Sequence, residues 1–179
     1  MSSLDIAALS EADLRAITYR EESTFHGATI EGVRRKDLTT ILDGRGDVIE
    51  LWSRPWIDAE GFAEPAHVYQ SATDYGVVKC WHLHAIHTDQ FTVTRGKLQV
   101  VCVDLRPDSK SYGVVNSFVM GTARPTLLLI PPGVMHGWKG LAQPETIVVN
   151  LQTHVYDPAD EFKFRWDSVL PSVWEPRNG

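Results

Sequence analysis

The feature that most constrains the fold is a series of short strand-like segments that are separated by turns. Apolar and β-branched residues fill each segment, and clusters rich in Gly, Pro and Asp at 43–46, 107–109 and 131–133 stand between them. Many short strands at such spacing are typical of an all-β sandwich or barrel. The predicted strands cover residues 48–52, 77–84, 91–94, 98–105, 114–120, 126–130 and 146–151.

Two details of these strands refine the prediction. Residues 91–94 alternate before the turn at 95–97, and residues 98–105 continue after it, which predicts a β-hairpin. Residues 100–103 and 127–130 are apolar at consecutive positions, so both faces of these strands are expected to be buried. A second buried face implies either a closed barrel that packs against another sheet or a dimer interface.

Composition excludes several classes of protein. At 179 residues and 20.1 kDa the chain fits one domain, with 43% hydrophobic and 22% charged residues. The formal net charge of −6 argues against nucleic-acid and anionic-membrane binding, because both require a basic surface. There is no basic N-terminal region and no apolar run of about 20 residues, so we expect a soluble cytoplasmic protein. Cys80 and Cys102 are too few for a disulfide framework.

The two ends of the chain carry helix signals. Ser10 and Asp13 form a capping-box pattern, which predicts a helix within the first twenty residues. Asp157 followed by Pro158 predicts the start of a short C-terminal helical segment. No repeat or long linker interrupts the chain, so we predict a single domain. Its parts are an N-terminal extension with a helix and the first strand (1–42), a core (43–167) and a tail (168–179).

Three of the seven histidines lie within six residues of one another, at His82, His84 and His87. On an extended strand His82 and His84 point to the same side, together with Val78 and Cys80, because side chains alternate with a period of two. Both imidazoles are therefore expected to face the apolar interior. Burying two polar rings side by side is costly unless they bind a ligand, a metal or a carboxylate, so this segment predicts a functional site.

Two spaced groups of residues resemble the sequence signatures of the cupin superfamily. The first group consists of Gly76, His82, His84, Asp89 and Gly96, and the second is the run PPGVMH at 131–136. The resemblance implies an all-β cupin (jelly-roll) barrel with a short N-terminal helix and a short C-terminal helical segment. Some cupins bind a metal at these positions, and the ligands here would be His82, His84, Asp89 and His136. Such donors suit Fe, Mn, Ni or Zn.

Between residues 43 and 167 the chain also resembles the dTDP-4-dehydrorhamnose 3,5-epimerase family, a metal-free branch of the cupins. The stretch DGRGDVIE at 43–50 is similar to the family's DxRGxFxE segment, and KCWH at 79–82 stands where the family has RGLH. The run PPGVMHG at 131–137 resembles its PxGFAHGF loop. Shorter matches follow the family's order at 68–71, 95–97, 103–106, 111–113, 155–158 and 165–167.

This resemblance implies an isomerase that needs no cofactor and acts on a nucleoside-diphosphate (NDP) 4-keto-6-deoxy sugar. By this resemblance His82 would remove a proton beside the ketone, and Asp167 would hold its imidazole. The neighbouring His84 is our own candidate for the acid–base partner of His82. The substrate-binding residues would be Arg45 and Lys79 at the diphosphate, Glu50 and Gln70 at the nucleotide, and His136 with Asn150 at the sugar. Such epimerases are dimers in which a strand of one chain extends the sheet of the other, so we expect a homodimer.

Two positions depart from the family pattern. The family's lysine, which stabilises the enolate oxygen, falls on Asp89, and its catalytic tyrosine, the acid on the opposite face, falls on Asn150. A carboxylate cannot stabilise a developing enolate, because like charges repel. An amide donates a hydrogen bond but delivers no proton. These departures argue against the standard double epimerisation.

Three hypotheses follow. The first is an NDP-sugar isomerase without a cofactor and with a narrower outcome, such as one epimerisation or a keto shift. The second is a metallocupin that holds a divalent transition metal through His82, His84, Asp89 and His136. The third is a catalytically silent protein that binds a nucleotide sugar. We favour the first, because the nucleotide-binding positions match the family better than the catalytic ones do.

Overall fold

The computed structural model describes residues 5–176, and residues 1–4 and 177–179 lie outside the described part. The described chain contains two short α-helices, α1 (Glu11–Ala16) and α2 (Trp56–Glu60). None of the helices in this part is long and apolar enough to cross a membrane. Its strands are β1 (Arg20–Glu22), β2 (Arg34–Asp37), β3 (Thr40–Asp43), β4 (Gly46–Ile49), β5 (His67–Asp74), β6 (Val78–Leu83), β7 (Asp89–Arg95), β8 (Lys97–Asp104), β9 (Val114–Gly121), β10 (Thr126–Ile130), β11 (Val134–Gly140), β12 (Glu145–Gln152) and β13 (Phe162–Lys163).

Most of the strands form two sheets that face each other as a jelly-roll barrel. The first sheet has the strand order β1-β9-β8-β11-β6-β13, and the second has the order β2-β10-β7-β12-β5. Apolar side chains of both sheets fill the space between them, where Phe91 and Val93 of β7 share a cluster with Val100 and Trp138 of the facing sheet. The prediction of an all-β jelly-roll fold is confirmed.

A second apolar layer covers the outer face of the six-stranded sheet. Leu14 of α1 and Trp174 of a C-terminal 3₁₀ turn join Trp81 and Val101 in one buried cluster. The ring centroids of Trp81 and Trp174 lie 5.1 Å apart. β8 is therefore buried on both faces within a single chain, which explains the continuous apolar run at 100–103.

The turn at residues 95–97 joins the two sheets rather than two paired strands. β7 and β8 follow each other closely along the chain but belong to opposite sheets, so the predicted hairpin is wrong. Gly96 has φ +84°, and a Cβ there would lie 2.8 Å from the carbonyl oxygen of Glu145. A glycine allows the chain to turn this corner of the barrel against its neighbour.

The helix signals at both ends of the chain correspond to helical turns. Ser10 Oγ accepts a hydrogen bond from Asp13 N (3.2 Å), and the Asp13 carboxylate accepts one from Ser10 N (2.9 Å), which completes the capping box of α1. The carboxylate of Asp157 accepts from Ala159 N (2.9 Å) and caps the 3₁₀ turn Pro158–Asp160. This turn leads into β13, which borders the pocket described below.

β3 and β4 form a separate two-stranded hairpin. β4 ends at Ile49, whereas the predicted strand at 48–52 continues to residue 52. Ile41 and Val48 are directly opposite each other across the hairpin and are 66% and 65% exposed. An isolated hairpin is at best marginally stable in water, so this element presents an apolar surface that the described chain leaves uncovered.

Candidate functional site

A pocket of about 400 Å³ opens between the two sheets. One wall is formed by β6, β11 and β13, and the opposite wall by β5, β7 and β12. Imidazoles dominate its lining, and they belong to His67, His82, His84, His87 and His136. A concave site that collects so many titratable groups is the strongest candidate for chemistry in the described part of the chain.

Asp89 lies at the base of the pocket and is buried. Its Oδ1 accepts hydrogen bonds from Asn150 Nδ2 (2.7 Å) and Gln152 Nε2 (2.9 Å), and its Oδ2 lies 3.0 Å from His136 Nε2. Burial by itself raises the pKa of a carboxyl, but the hydrogen bond from His136 and the neighbouring donors hold the pKa of Asp89 well below its usual range. The base of the pocket therefore carries a permanent negative charge.

A bulge in β6 sets the direction of His82. Between Lys79 and His82, β6 advances by three residues while its partner β11 advances by two. The bulge breaks the strict alternation of side chains, so Val78 and Cys80 pack with the outer apolar layer, whereas His82 faces the pocket. The predicted common face of His82, Val78 and Cys80 is therefore wrong.

His82 is held as a neutral imidazole. Its ring stacks near those of His136 and Trp138, with centroids 6.1 and 6.3 Å away. Burial and the imidazoles of His136 and His84 lower the pKa of His82 to about 4, and the carboxylate of Glu161, 3.6 Å from Nδ1, opposes this shift. At neutral pH the ring carries a free lone pair and can accept a proton.

Asp160 fixes the loop that carries His84 and His87. Its carboxylate accepts backbone hydrogen bonds from Ala85, Ile86 and His87, the first at 2.6 Å and the last at 3.0 Å. Its carbonyl oxygen lies 2.7 Å from His84 Nδ1 and accepts the hydrogen of that nitrogen. The Nε2 of His84 then faces Asp89 Oδ2 at 3.4 Å. The loop geometry thus directs the Nε2 of His84 towards Asp89 at the base of the pocket.

Three donor atoms in this pocket lie close enough together to hold a metal ion. The ring nitrogens of His84 and His136 and a carboxylate oxygen of Asp89 all lie within 4.8 Å of one another. The Nδ1 atoms of the two rings lie 2.7 and 3.1 Å from backbone carbonyl oxygens, an arrangement that is typical of metal-binding histidines. The set fits a divalent transition metal. His82 is not part of it, so the four ligands expected from the sequence reduce to three.

The structure gathers some of the sequence-predicted site residues and separates others. His82, His84, His136 and Asn150 all line the pocket. The others lie elsewhere in the described chain. Arg45 lies on the exposed β3–β4 hairpin, and Glu50 directly follows it. Gln70 is on the face of β5 opposite to Tyr69, and the Nζ of Lys79 lies 3.1 Å from Ser71 Oγ. Four predicted substrate contacts are therefore missing from the pocket within one protomer.

The predicted pairing of His82 with Asp167 is corrected by the structure. Asp167 is exposed and forms an ion pair with Arg165 at 2.9 Å, and this pair lowers the pKa of the carboxyl. The carboxylate that faces His82 belongs to Glu161, which follows the 3₁₀ turn and precedes β13. Because β13 pairs directly with β6, Glu161 is brought beside His82 while Asp167 lies beyond the end of the pairing.

Several pocket residues were not identified from the sequence. Trp138 and Gln152 each lie two positions after a predicted residue on the same strand, so the period-two rule applied to His136 and Asn150 could have found them. Tyr69, Glu161 and Lys163 carry no such local signal. They reach the pocket only through strand pairings between distant parts of the chain.

A jelly-roll barrel with a pocket of imidazoles and carboxylates between its sheets defines a cupin-type protein that acts on a small molecule. The family model described as dTDP-4-dehydrorhamnose 3,5-epimerase matches residues 27–176. The chain therefore belongs to this family of sugar-nucleotide epimerases, and it is an enzyme of the isomerase class.

Individual relatives agree with this assignment. The chain is 36% identical over 141 residues to the spore coat polysaccharide biosynthesis protein SpsL of Bacillus subtilis. This match covers 77% of the present chain and 91% of SpsL. It is 32% identical over 132 residues to the Haloferax volcanii protein named "Probable low-salt glycan biosynthesis epimerase Agl13", which covers 73% and 83% of the two chains. The crystal structure of a dTDP sugar isomerase from Desulfovibrio desulfuricans has a TM-score of 0.72 at 24% identity and covers 83% and 91%. This last likeness supports the fold.

Proposed function

We propose that the protein epimerises an NDP-4-keto-6-deoxy sugar, with His82 as the general base that removes a proton next to the ketone. The observation that carries this proposal is the position of the His82 imidazole, beside the carboxylate of Glu161 on one wall of a pocket whose size suits a sugar. The ketone acidifies the neighbouring C–H bond, so a modest base is sufficient. Glu161, 3.6 Å from Nδ1, stabilises the imidazolium that forms.

The base of the pocket is assigned to the sugar. His84, His136 and Asn150 present ring nitrogens and an amide at hydrogen-bonding positions around Asp89. Lys163 lines the same cavity with a side chain that is 59% exposed, so its ammonium group can turn towards a diphosphate. Gln70 and Lys79 receive no role, because their side chains lie outside the pocket.

We further propose that the active form is a homodimer in which the β3–β4 hairpin completes the partner's pocket. Arg45 is 91% exposed at the tip of the hairpin and pairs only with Asp43 among the described ion pairs. It cannot contribute to its own pocket, whose lining it does not join. The uncovered apolar pair Ile41 and Val48 supplies a surface for association. Arg45 and Glu50 then become diphosphate and nucleotide contacts across the interface.

Solvent exchange tests the role of His82. In D2O the wild-type protein should incorporate deuterium next to the ketone of a dTDP-4-keto-6-deoxy sugar, and His82→Asn should reduce the rate at least about 100-fold. The matched control is His154→Asn, which changes an exposed histidine whose ring contacts Thr153 outside the pocket. Incorporation at the wild-type rate in His82→Asn would refute the proposal. Binding of dTDP by a wild-type protein that shows no exchange would indicate the silent binding protein instead.

A second candidate function is a metal-dependent cupin enzyme, and the convergence of His84, Asp89 and His136 favours it. A divalent metal bound there would act as a Lewis acid on a substrate oxygen. The test is elemental analysis after stripping and reconstitution with Fe, Mn, Ni and Zn. Stoichiometric metal that is lost in His84→Ala supports this candidate, and absence of bound metal after all four reconstitutions ends it. Deuterium exchange that persists in chelator-treated protein supports the metal-independent epimerase.

A further inference from the structure

The two walls of the pocket come from opposite sheets. Inversion of a carbon centre requires chemical groups on both sides of the substrate, and such walls can provide them. A proton removed from one face must be replaced from the other face if the configuration is to change. His82 projects from β6 in the first sheet. A proton donor for the opposite face must therefore come from the second sheet, where Asn150, as an amide, delivers no proton.

We propose that Tyr69 is the group that delivers a proton to the face opposite His82, and that Asn150 positions its hydroxyl. This inference rests on the proposed epimerase function. Tyr69 belongs to β5 and lines the pocket from the second sheet. Tyr69 is directly opposite Asn150 in the pairing of β5 with β12. Its hydroxyl therefore reaches the pocket from the strand next to the one that carries Asn150.

The hydrogen-bond directions support this assignment. Asn150 Nδ2 donates to the Tyr69 hydroxyl oxygen (3.0 Å) and to Asp89 Oδ1 (2.7 Å), which uses both of its hydrogens. Because the hydroxyl oxygen is an acceptor in this bond, its own hydrogen remains available to a substrate carbon. The Oδ1 of Asn150 is buried and has no partner within the described structure, so it can accept a hydrogen bond from a substrate hydroxyl.

The other tyrosine in the pocket is placed differently. Tyr156 is 60% exposed, and its hydroxyl donates to Glu161 Oε2 at 2.9 Å. Glu161 is also the carboxylate that faces His82, so Tyr156 lies on the same side of the pocket as the general base. Burial and the charge of Asp89 raise the pKa of Tyr69, which keeps its hydroxyl protonated until an enolate forms.

The proposed step balances. His82 accepts the proton, and the electron pair of the broken C–H bond enters the enolate. The Tyr69 O–H bond then breaks, and its proton forms a new C–H bond with the enolate electron pair on the opposite face, which restores the ketone. His82 is left as an imidazolium and Tyr69 as a phenolate. Solvent takes the proton from the former and returns one to the latter through the open mouth of the pocket.

Tyr69→Phe tests the proposal, because it removes the hydroxyl and keeps the ring. In D2O the variant should still place deuterium in the recovered substrate at a rate within about threefold of the wild type, since His82 can return an exchanged deuteron to the same face. Formation of the epimer should fall about 100-fold. Asn150→Ala should lower epimer formation by a larger factor than it lowers exchange, because Asn150 positions the Tyr69 hydroxyl and also lies beside the sugar. Tyr75→Phe, at an exposed turn after β5, is the matched control and should change neither rate.

Three outcomes would overturn the proposal: wild-type epimer formation in Tyr69→Phe, equal loss of exchange and epimer formation in that variant, or the split of the two rates in Tyr156→Phe instead. The melting temperature and the affinity for dTDP, measured on each variant, separate misfolding and weak binding from a lost proton donor. A wild-type protein that shows no exchange at all would refute the proposed function itself, and the role of Tyr69 with it.

Discussion

At the scale of single residues, the site depends on buried carboxylates that organise their neighbours. Asp89 gathers two amides and three imidazoles, and Asp160 holds the backbone of the loop after β6. Neither residue needs to contact the substrate in order to matter. Each determines where a ring nitrogen points, which is the property that both proposed chemistries require.

Asp160→Asn should lower the free energy of unfolding by about 2 kcal/mol and reduce the rate of deuterium exchange. The carboxylate accepts three backbone N–H groups through two oxygens, and the amide keeps only one accepting oxygen, so part of this set, which includes the buried N–H of His87, loses its acceptor. Chemical denaturation provides the measurement. Asp157→Asn is the control in the same turn and should cost less than about 0.5 kcal/mol, because Asn caps as well as Asp does. Equal stability of the two variants would contradict the assigned role of Asp160.

At the scale of secondary-structure elements, the β3–β4 hairpin is a part of the described chain that does not belong to the barrel. It pairs with neither sheet, and three of its apolar residues, Ile41, Leu42 and Val48, face solvent. The outer face of the six-stranded sheet, by contrast, is covered by α1 and the C-terminal 3₁₀ turn within the same chain. An association surface is therefore expected at the hairpin rather than at β8, whose apolar sequence is accounted for internally.

The double substitution Ile41→Ser and Val48→Ser should convert the proposed dimer to a monomer and leave the melting temperature of the barrel within a few degrees of the wild-type value. Both side chains are exposed, so the barrel loses no buried contact, whereas the interface loses apolar area. Sedimentation equilibrium measures the assembly state. Val119→Ser changes another exposed apolar residue, on β9, and should leave the dimer intact. A wild-type protein that sediments as a monomer would exclude the proposed assembly.

At the scale of the whole molecule, catalytic groups from two chains should complement one another. Arg45→Ala and His82→Asn should each be nearly inactive as purified proteins. After equal amounts are mixed under conditions that exchange subunits, about half of the dimers contain one chain of each variant. One of the two pockets in such a mixed dimer combines an intact Arg45 with an intact His82, so about a quarter of all pockets are restored. Recovery of activity towards that fraction is expected in the epimerase assay. No recovery despite demonstrated subunit exchange would place Arg45 outside the partner's pocket.

Much of the fold could be predicted from the sequence, because strand formation depends on local patterns. The strand at 126–130 coincides with β10, and the capping box of α1 follows from Ser10 and Asp13. The pairing of strands is a different matter. The tight turn at Gly96 suggested a hairpin, yet β7 and β8 enter opposite sheets, because closure of the barrel requires a corner at that point.

For this protein, the sequence by itself determined the strands, the jelly-roll class and the histidine-rich segment, since each depends on residues close together in the chain. Only the tertiary structure decided which groups meet. The bulge in β6 directs His82 into the pocket, β13 brings Glu161 to it, and the pairing of β5 with β12 places Tyr69 against Asn150. These contacts join residues that are distant in sequence, and a single inserted residue in a strand reverses the side from which every following side chain emerges.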